Sequence, residues 1–454
     1  PGPERVVEVP VEPFPEGTRL HIVQWSHFVP QYDTWFDFFA QAWGDSVGVD
    51  VSVDHVSIPA TTATLAAAID AGDGPTMVEV LFASGQFSPS LHDLGDVNQQ
   101  AQELFGEQIA NCANSSYLPV IDKWYGFCHG WVPDPADTVS SLWEQVGFPD
   151  GPSTWEELLE GGSRIKDELG VPIGLGLSPE LDSRMAARAI IWSYGGSIQD
   201  EDENVVIDSP EVVEAVEAMT ALYQQAMTPL IEPFDWVAAT NNQELIAGNV
   251  SYILNSISAY RSLQAIDPAA ADDIGFGPAL FGPGGERWAS AHVWAIYVIP
   301  DYVQGADLEA AKAFMLHLVA NYDQATFNSK LYTFPGFPST VPQLTEPFES
   351  AVFGEQPSWV EHDPFGSRPA DKLKLLEDAH KWTAWIGFPG PANPATGEVF
   401  GANLVAIMMQ RAAQGTVSAA EAVCEAHAQI EDIFERWRGE GLVGGTATPD
   451  CQVG

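Results

Sequence analysis

The strongest constraint on the fold is a strand pattern that recurs, with helices between, near the start of the chain. Residues 18–25 (TRLHIVQW) alternate apolar and polar side chains with the period of two that a strand requires, and residues 31–43 then carry aromatics at helical spacing. Residues 49–58 (VDVSVDHVSI) predict a second strand, residues 61–71 a short Ala-rich helix, and residues 76–82 a third strand after the Gly72-Asp73-Gly74-Pro75 break. Repeated β-α-β units imply a largely parallel α/β sheet. A chain of 454 residues also exceeds what one hydrophobic core usually spans, so two core-bearing units are expected.

After Cys128 the sequence turns to short runs rich in Pro and Asp, and a second lobe is expected from about Trp131. Ser153 with Glu157 reads as a helix-opening cap. Further α/β material follows: a strand at 171–177, helices at 185–194 and 209–227, and a strand at 250–254. The last third predicts a strand at 293–299, a helix at 308–319, a turn-rich section at 335–371 and closing helices at 404–414 and 418–438. Ser418 and Glu421 form a capping box for the final helix. No repeat of 20 to 50 residues is present.

With 18 Lys plus Arg against 63 Asp plus Glu, the surface repels phosphate backbones and anionic lipid, which excludes nucleic-acid binding. The same charge reads either as a solvated acidic surface or as a match for a cationic ligand. No stretch reaches about 18 uninterrupted apolar residues. The Pro- and Glu-rich opening, residues 1–17, reads as a tether of the kind that follows an export signal or a lipid anchor. Cys112 with Cys128 and Cys424 with Cys451 fit two disulfides and an oxidising compartment, four buried thiols being the alternative. Zinc spacing is missing, and the acidic turn 200–204 lacks the glycine and distal glutamate of a calcium loop, so no metal and no cofactor are expected. Neither hydrolase, zinc-protease, phosphate-loop nor dinucleotide motifs occur, which argues against an enzyme.

The order of landmarks resembles the extracellular solute-binding proteins of ABC importers, the family-1 group of maltose-binding-protein-like sugar binders. Trp25-Ser26-His27-Phe28 is similar to that family's first ligand loop, and Ala71 to Val78 to its helix-to-strand turn, with Thr76 where Asp is usual. Lys123-Trp124-Tyr125-Gly126-Phe127 resembles the strand leading to the first crossover, and Ser153 to Leu159 the Thr-Trp-Glu-Glu-Leu helix start. Gly195-Gly196, Ile207 to Glu211, Glu244 to Asn249 and Val417 to Ala422 follow in the family's order.

This resemblance implies an α/β, two-lobed periplasmic-binding-protein fold of type II with several interlobe crossings, placed near Gly130, Ile274 and Gln324. Lobe 1 would comprise 18–130 and 274–324, lobe 2 would comprise 131–273 and 325–440, and 441–454 would be a tail. It further implies an extracytoplasmic protein, secreted or anchored as a lipoprotein, monomeric, that captures a mono- or oligosaccharide between its lobes and delivers it to membrane permease subunits.

Sugars present apolar ring faces and fixed hydroxyls, so a site needs flat aromatics and a few well-placed polar groups. Among 15 tryptophans, Trp25, Trp131, Trp236 and Trp385 fall in predicted loops after strands, whereas Trp43, Trp143, Trp155 and Trp437 sit at helical spacing and read as packing. The family pattern adds Ser26, His27, Phe82, Ser84 and Gln86 in lobe 1. For the second lobe it adds Asp182, Arg184, Asn255 and Asn393, with His292 and Trp294 beside the Gly-Pro-Gly-Gly turn. Each has a structural alternative: a loop tryptophan can be a plug, His27 a surface group, and Asp182 with Arg184 a salt bridge. A cationic solute such as a polyamine and an exported glycoside hydrolase are the competing readings.

Overall fold

The computed structural model describes residues 2–3, 6–82 and 84–453. Contacts divide the chain into two units. Unit 1 takes the chain up to Val132, then Val293–Trp359 and Ala392–Pro394; unit 2 takes Pro133–His292, Val360–Pro391 and the chain from Ala395 onward. The first passage falls beside the expected Gly130, while the next two fall later than Ile274 and Gln324. Ile274 belongs to a strand that pairs inside unit 2. Residues 334–335 likewise pair inside unit 1, which keeps the chain there past Gln324.

Among the described residues, two sheets organise the units. Their strands are β1 (Arg19–Trp25), β2 (Asp50–Val56), β3 (Met77–Val80), β4 (Phe127–Val132), β5 (Ala136–Val139), β6 (Tyr252–Leu254), β7 (Ile274–Gly277), β8 (Val293–Val298) and β9 (Phe334–Pro335). Unit 1 is built on a six-stranded sheet in the order β9-β4-β8-β3-β1-β2. β1 runs parallel to β2 and β3, as the β-α-β reading requires. β8 is antiparallel to both β3 and β4, and β9 is antiparallel to β4, so this sheet is mixed and not largely parallel. A strand re-entering a unit after a long excursion escapes the β-α-β crossover rule, which governs neighbours joined directly.

The opening β-α-β run folds close to its predicted limits because each break has a local cause. The helix Gln31–Val47 buries Tyr32, Phe36, Phe39 and Trp43. The helix Ile58–Ala71 ends where Gly72 adopts a left-handed conformation at φ 65°. Part of the expected tether is packed: Val7 exchanges hydrogen bonds with the buried Asn321 side chain, and the Phe14 ring lies 6.3 Å from Trp43.

In unit 2, β5 pairs antiparallel with β6 and β7. Two expectations are corrected there. Residues 172–177 are all buried, as in a fully covered strand, yet they run as irregular chain. Gly174 N–H bonds Tyr252 O and Pro172 O accepts from Ser251 N–H, each at 2.8 Å, but Ile173 N–H goes to Ala226 O and Leu177 N–H to Pro233 O, so the bonds are shared among separate segments instead of forming one ladder. The helix Trp155–Leu169 is capped by Thr154, whose hydroxyl accepts Glu157 N–H; Ser153 donates to the Glu157 carboxylate instead. The helix predicted at 209–227 is regular over Pro210–Ala221 and widens into a π turn at Leu222–Met227.

Both disulfides are present, Cys112–Cys128 in unit 1 and Cys424–Cys451 in unit 2. The second pins the tail to the closing helix Ala419–Gly439, whose capping box is formed by Ser418 and Glu421. The tail then docks on the acidic turn: Gly444 N–H donates to Glu203 and Thr446 N–H to Asn204. Asp200 is occupied in closing that turn, accepting from the Asp202 and Asn204 N–H groups.

Gly130 on β4 shows how tightly unit 1 is closed. A Cβ there would lie 1.7 Å from the Tyr322 hydroxyl and 2.9 Å from Phe334 O. Gly130→Ala is therefore expected to destabilise the protein by about 1–3 kcal/mol through overpacking, read as a lower urea midpoint. An unchanged midpoint would show that β9 is not held against β4.

Candidate functional site

In unit 1 the loop after β1 collects aromatic rings. Trp25 is 3% exposed and lies against His27, Phe28 and Tyr332, with centroids 4.7, 5.4 and 6.3 Å away. His27 stacks on Tyr32 at 4.5 Å, its Nδ1 accepts Val29 N–H, and its Nε2 lies 3.1 Å from Thr333 Oγ1. The histidine is thus an interior group, while Ser26 beside it is exposed.

The loop after β3 is held from below. Tyr125, fully buried, accepts a hydrogen bond from Ser84 N–H at 3.2 Å and donates to Ser115 O. Ser84 Oγ donates to Phe82 O, and the Oε1 of Gln86 is buried with no hydrogen-bond partner among the described residues. A Cβ on Gly85 would meet the backbone of Asn393 and Pro394 at 3.1–3.2 Å, so the 392–394 segment and this loop form one surface of unit 1. Trp131 and Trp294, paired in register on β4 and β8, stack with centroids 5.8 Å apart. Both are buried, so each ring already has one face covered.

Unit 2 gathers polar groups around the helix Leu181–Ser193. The Glu180 carboxylate caps it, accepting Asp182 N–H at 2.8 Å and Ser183 N–H at 2.5 Å. Ser178 Oγ donates to Trp236 O at 2.7 Å, so the loop carrying Trp236 is tied to the residues just before this helix start. Arg184 donates to Phe400 O at 3.0 Å, and its guanidinium sits 4.0 Å from the Phe400 ring centroid. One turn on, Arg188 lies 4.7 Å from the same centroid and donates to Ser290 Oγ at 2.7 Å. His292 Nδ1 lies 3.3 Å from the buried Asp134 carboxylate. Asn255 donates to Asn242 Oδ1, and Trp385, partly exposed, donates to Gly390 O.

Burial sets the electrostatics of this wall. It raises Asp134, though hydrogen bonding and charge from His292 and the charge of Arg188 oppose the rise. Asp182 is pushed well above the usual carboxylate range by burial, then by Glu180 and Asp134. Asp137, whose two carboxyl oxygens have no hydrogen-bond partner among the described residues, is likewise raised by burial and by Asp134. Arg188 is lowered to about 9 by burial and by Arg184. Burial thus pushes the acids of this wall toward their neutral form beside two guanidiniums. Among the described residues no group of three or more His, Cys, Asp or Glu is arranged to hold a metal ion.

The structure thus brings Trp25 with His27, Trp131 with Trp294, and Asp182 with Arg184 and the Trp236 loop. Asp134, Arg188, Ser290 and Phe400 were missed by sequence reasoning. A signal existed for Arg188, an arginine four residues after Arg184 in an otherwise apolar helix and one of only 18 basic residues.

The state of His27 is open to test. Its pKa in the folded protein is lowered to about 3 by burial. Between there and the ordinary 6.5 the unfolded chain binds a proton that the folded one does not, so stability falls as pH drops through that window. His317, lowered to about 4 by burial, acts in the same direction, whereas Asp33, raised to about 6, opposes it. The check is a comparison of urea midpoints from pH 7 to pH 4: wild type should lose more stability than His27→Gln, and parallel curves would mean the imidazole stays accessible to protons.

Comparison with known proteins gives this arrangement its context. A family model described as bacterial extracellular solute-binding protein matches residues 35–352. A probable ABC transporter-binding protein of Deinococcus radiodurans is 26% identical over 166 residues, which is 35% of this chain and 39% of that protein's length. Among solved structures, a sugar transporter protein from Arthrobacter chlorophenolicus with bound laminaribiose superposes with a TM-score of 0.73 at 15% identity, covering 91% of this chain and 99% of that one. The maltose-bound MalE3 of T. maritima gives 0.71 at 18% identity, covering 92% and 100%. The GacH receptor of Streptomyces glaucescens, solved unliganded and with acarbose, gives 0.70 at 16% identity, covering 92% and 99%. These likenesses establish the solute-binding-protein fold, and with the family model spanning more than half of its length, the chain belongs to the bacterial extracellular solute-binding proteins.

Proposed function

We propose that the chain is the substrate-binding component of an ABC importer and that its solute is a carbohydrate, captured by ring stacking and hydrogen bonds and delivered to permease subunits in the membrane. The observation that carries this reading lies in unit 2, where the Arg184 and Arg188 guanidiniums rest against the Phe400 ring, Arg188 donates to Ser290, and Asp134, Asp182 and His292 are buried polar groups of the same unit. Fixed donors and acceptors next to a flat apolar face suit a molecule with hydroxyls on its edge and carbon on its face. The named solved structures with bound laminaribiose, maltose and acarbose support the same class of solute. The family consists of binders and not enzymes, and its extracellular character puts the chain outside the cytoplasm.

A cationic solute, the competing reading, fits the overall charge of −45 but not this wall, because two guanidiniums lie in it. We further propose that the receptor acts as a monomer, with ligand-stabilised closure as the state the permease reads.

A thermal-shift screen with neutral sugars, acidic sugars and polyamines tests the assignment. A ligand that binds only the folded state at a hundred times its Kd adds about 2.7 kcal/mol, so a sugar should raise Tm by several degrees. Trp385→Ala should weaken that binding several-fold and leave the unliganded Tm nearly unchanged, whereas Trp131→Ala should lower the unliganded Tm by removing a buried ring worth about 3–5 kcal/mol. Polyamines shifting Tm while every sugar fails would overturn the carbohydrate assignment.

A further inference from the structure

We propose that the solute carries a carboxylate, and that Arg184 and Arg188 form the subsite in unit 2 that reads it. This rests on the carbohydrate reading above and narrows it to acidic sugars.

The inference starts from scarcity. The chain has 18 basic residues, and two of them occupy successive turns of one helix, Arg188 removed from solvent and Arg184 half-buried. Moving a guanidinium out of water costs several kcal/mol unless an opposite charge compensates it. Arg261 shows what compensation looks like in this protein. It is 5% exposed, its Nη1 lies 2.7 Å from Asp363 Oδ2, and Ser367 donates to the same carboxylate.

Arg188 is buried to the same degree, at 4% exposure, and is treated differently. Among the described residues no carboxylate lies within 4.0 Å of it. Its Nη2 donates to the Ser290 hydroxyl, a neutral partner, and its Nε is buried with no hydrogen-bond partner. Asp134 acts on it only at a distance and is itself engaged by His292. The guanidinium is therefore built for an anion that the protein does not supply.

The surroundings say which kind. Both guanidiniums lie against one ring, Phe400, at 4.0 and 4.7 Å, and a cation–π contact of this sort fixes their planes while leaving edge N–H groups to donate. A narrow cavity of about 10 Å³, room for one small polar group and not for a sugar ring, opens on the pair, with Thr396 and Asn403 at its polar side and Ile386, Val399 and Phe400 as apolar wall. A planar carboxylate matches the guanidinium fork, and the apolar wall suits the carbons attached to it. A phosphate brings more charge and a third oxygen than these donors can meet. Glu180 and Asp182 act on Arg184 and Asp134 acts on Arg188, so the pair is already partly compensated and a singly charged anion suits it better than a doubly charged one.

The test is isothermal calorimetry at fixed ionic strength with pairs that differ only at C6: glucuronate and galacturonate, and their dimers, against glucose, galactose and the corresponding neutral dimers. Uronates should bind at least about 30-fold more tightly, close to 2 kcal/mol. Arg188→Gln should cost the uronate at least tenfold more affinity than it costs the neutral sugar, and Arg188→Lys, which keeps the charge but not the fork, should recover only part of it. Equal or tighter binding of neutral sugars by wild type overturns the inference and leaves the carbohydrate reading in place. Binding of neither series overturns both. Sodium acetate or sodium chloride competing as well as the uronate would make the pair a general small-anion site and overturn the acidic-sugar assignment. Because the wild-type preference alone decides the matter, a variant that fails to fold does not block the test.

Discussion

Unit 1 depends on a polar contact buried in its sheet. Glu79 on β3 and His129 on β4, each about 1% exposed, meet at 2.9 Å, and His129 reaches on to the Tyr322 hydroxyl at 3.1 Å. β8 lies between these two strands, and its Tyr297 stacks against His129 with centroids 4.5 Å apart while donating to Gln24 on β1. Five segments remote in sequence are thereby joined through groups that would be costly to leave unpaired. Apolar strands alone would tolerate a slip of two residues; this pair does not. Its value is in specifying where the chain re-enters unit 1 after leaving it at Val132, more than in net stability, since desolvation offsets most of the attraction.

The same physics, applied with few cations, shapes unit 2. In a chain with 63 carboxylates and 18 basic residues, buried acids cannot all find a positive partner. Asp137 and Asp182 are instead pushed toward the neutral form, where a carboxylic acid can donate a hydrogen bond as well as accept one. The basic residues that do enter the interior are held in distinct ways: Arg261 by Asp363, Lys123 by the Ser88 and Leu91 carbonyls, and Arg188 by a hydroxyl and a ring. The last of these is the arrangement that leaves capacity for a ligand.

The β-α-β opening was legible because its alternation, its Ala-rich helix and the Gly72 stop all act locally. The closing helices were legible for the same reason, through the Ser418 cap. The strand expected at 171–177 was not, since its hydrogen bonds are divided among Ser251 and Tyr252, Ala226 and Pro233, which no local pattern reports. Passages between units were misplaced for a related reason: whether Ile274 pairs with Val139 or leads elsewhere is a long-range choice. Of the candidate site residues, Asp182 and Arg184 lie in the first turn of one helix of unit 2, whereas His27 turned out to be an interior group because Thr333 and Tyr32, some 306 residues from His27 in the first case, close around it.

By itself the sequence determined the class of fold, a cysteine spacing that fits two disulfides and the exclusion of polyanionic partners, because periodicity, spacing and charge are properties of neighbours along the chain or of the whole composition. Only the tertiary structure decided which fully buried arginine lacks a carboxylate, which tryptophans are already stacked and which acids burial pushes toward the neutral form. Those are properties of burial, and burial is conferred on a residue by segments the chain brings in from far away.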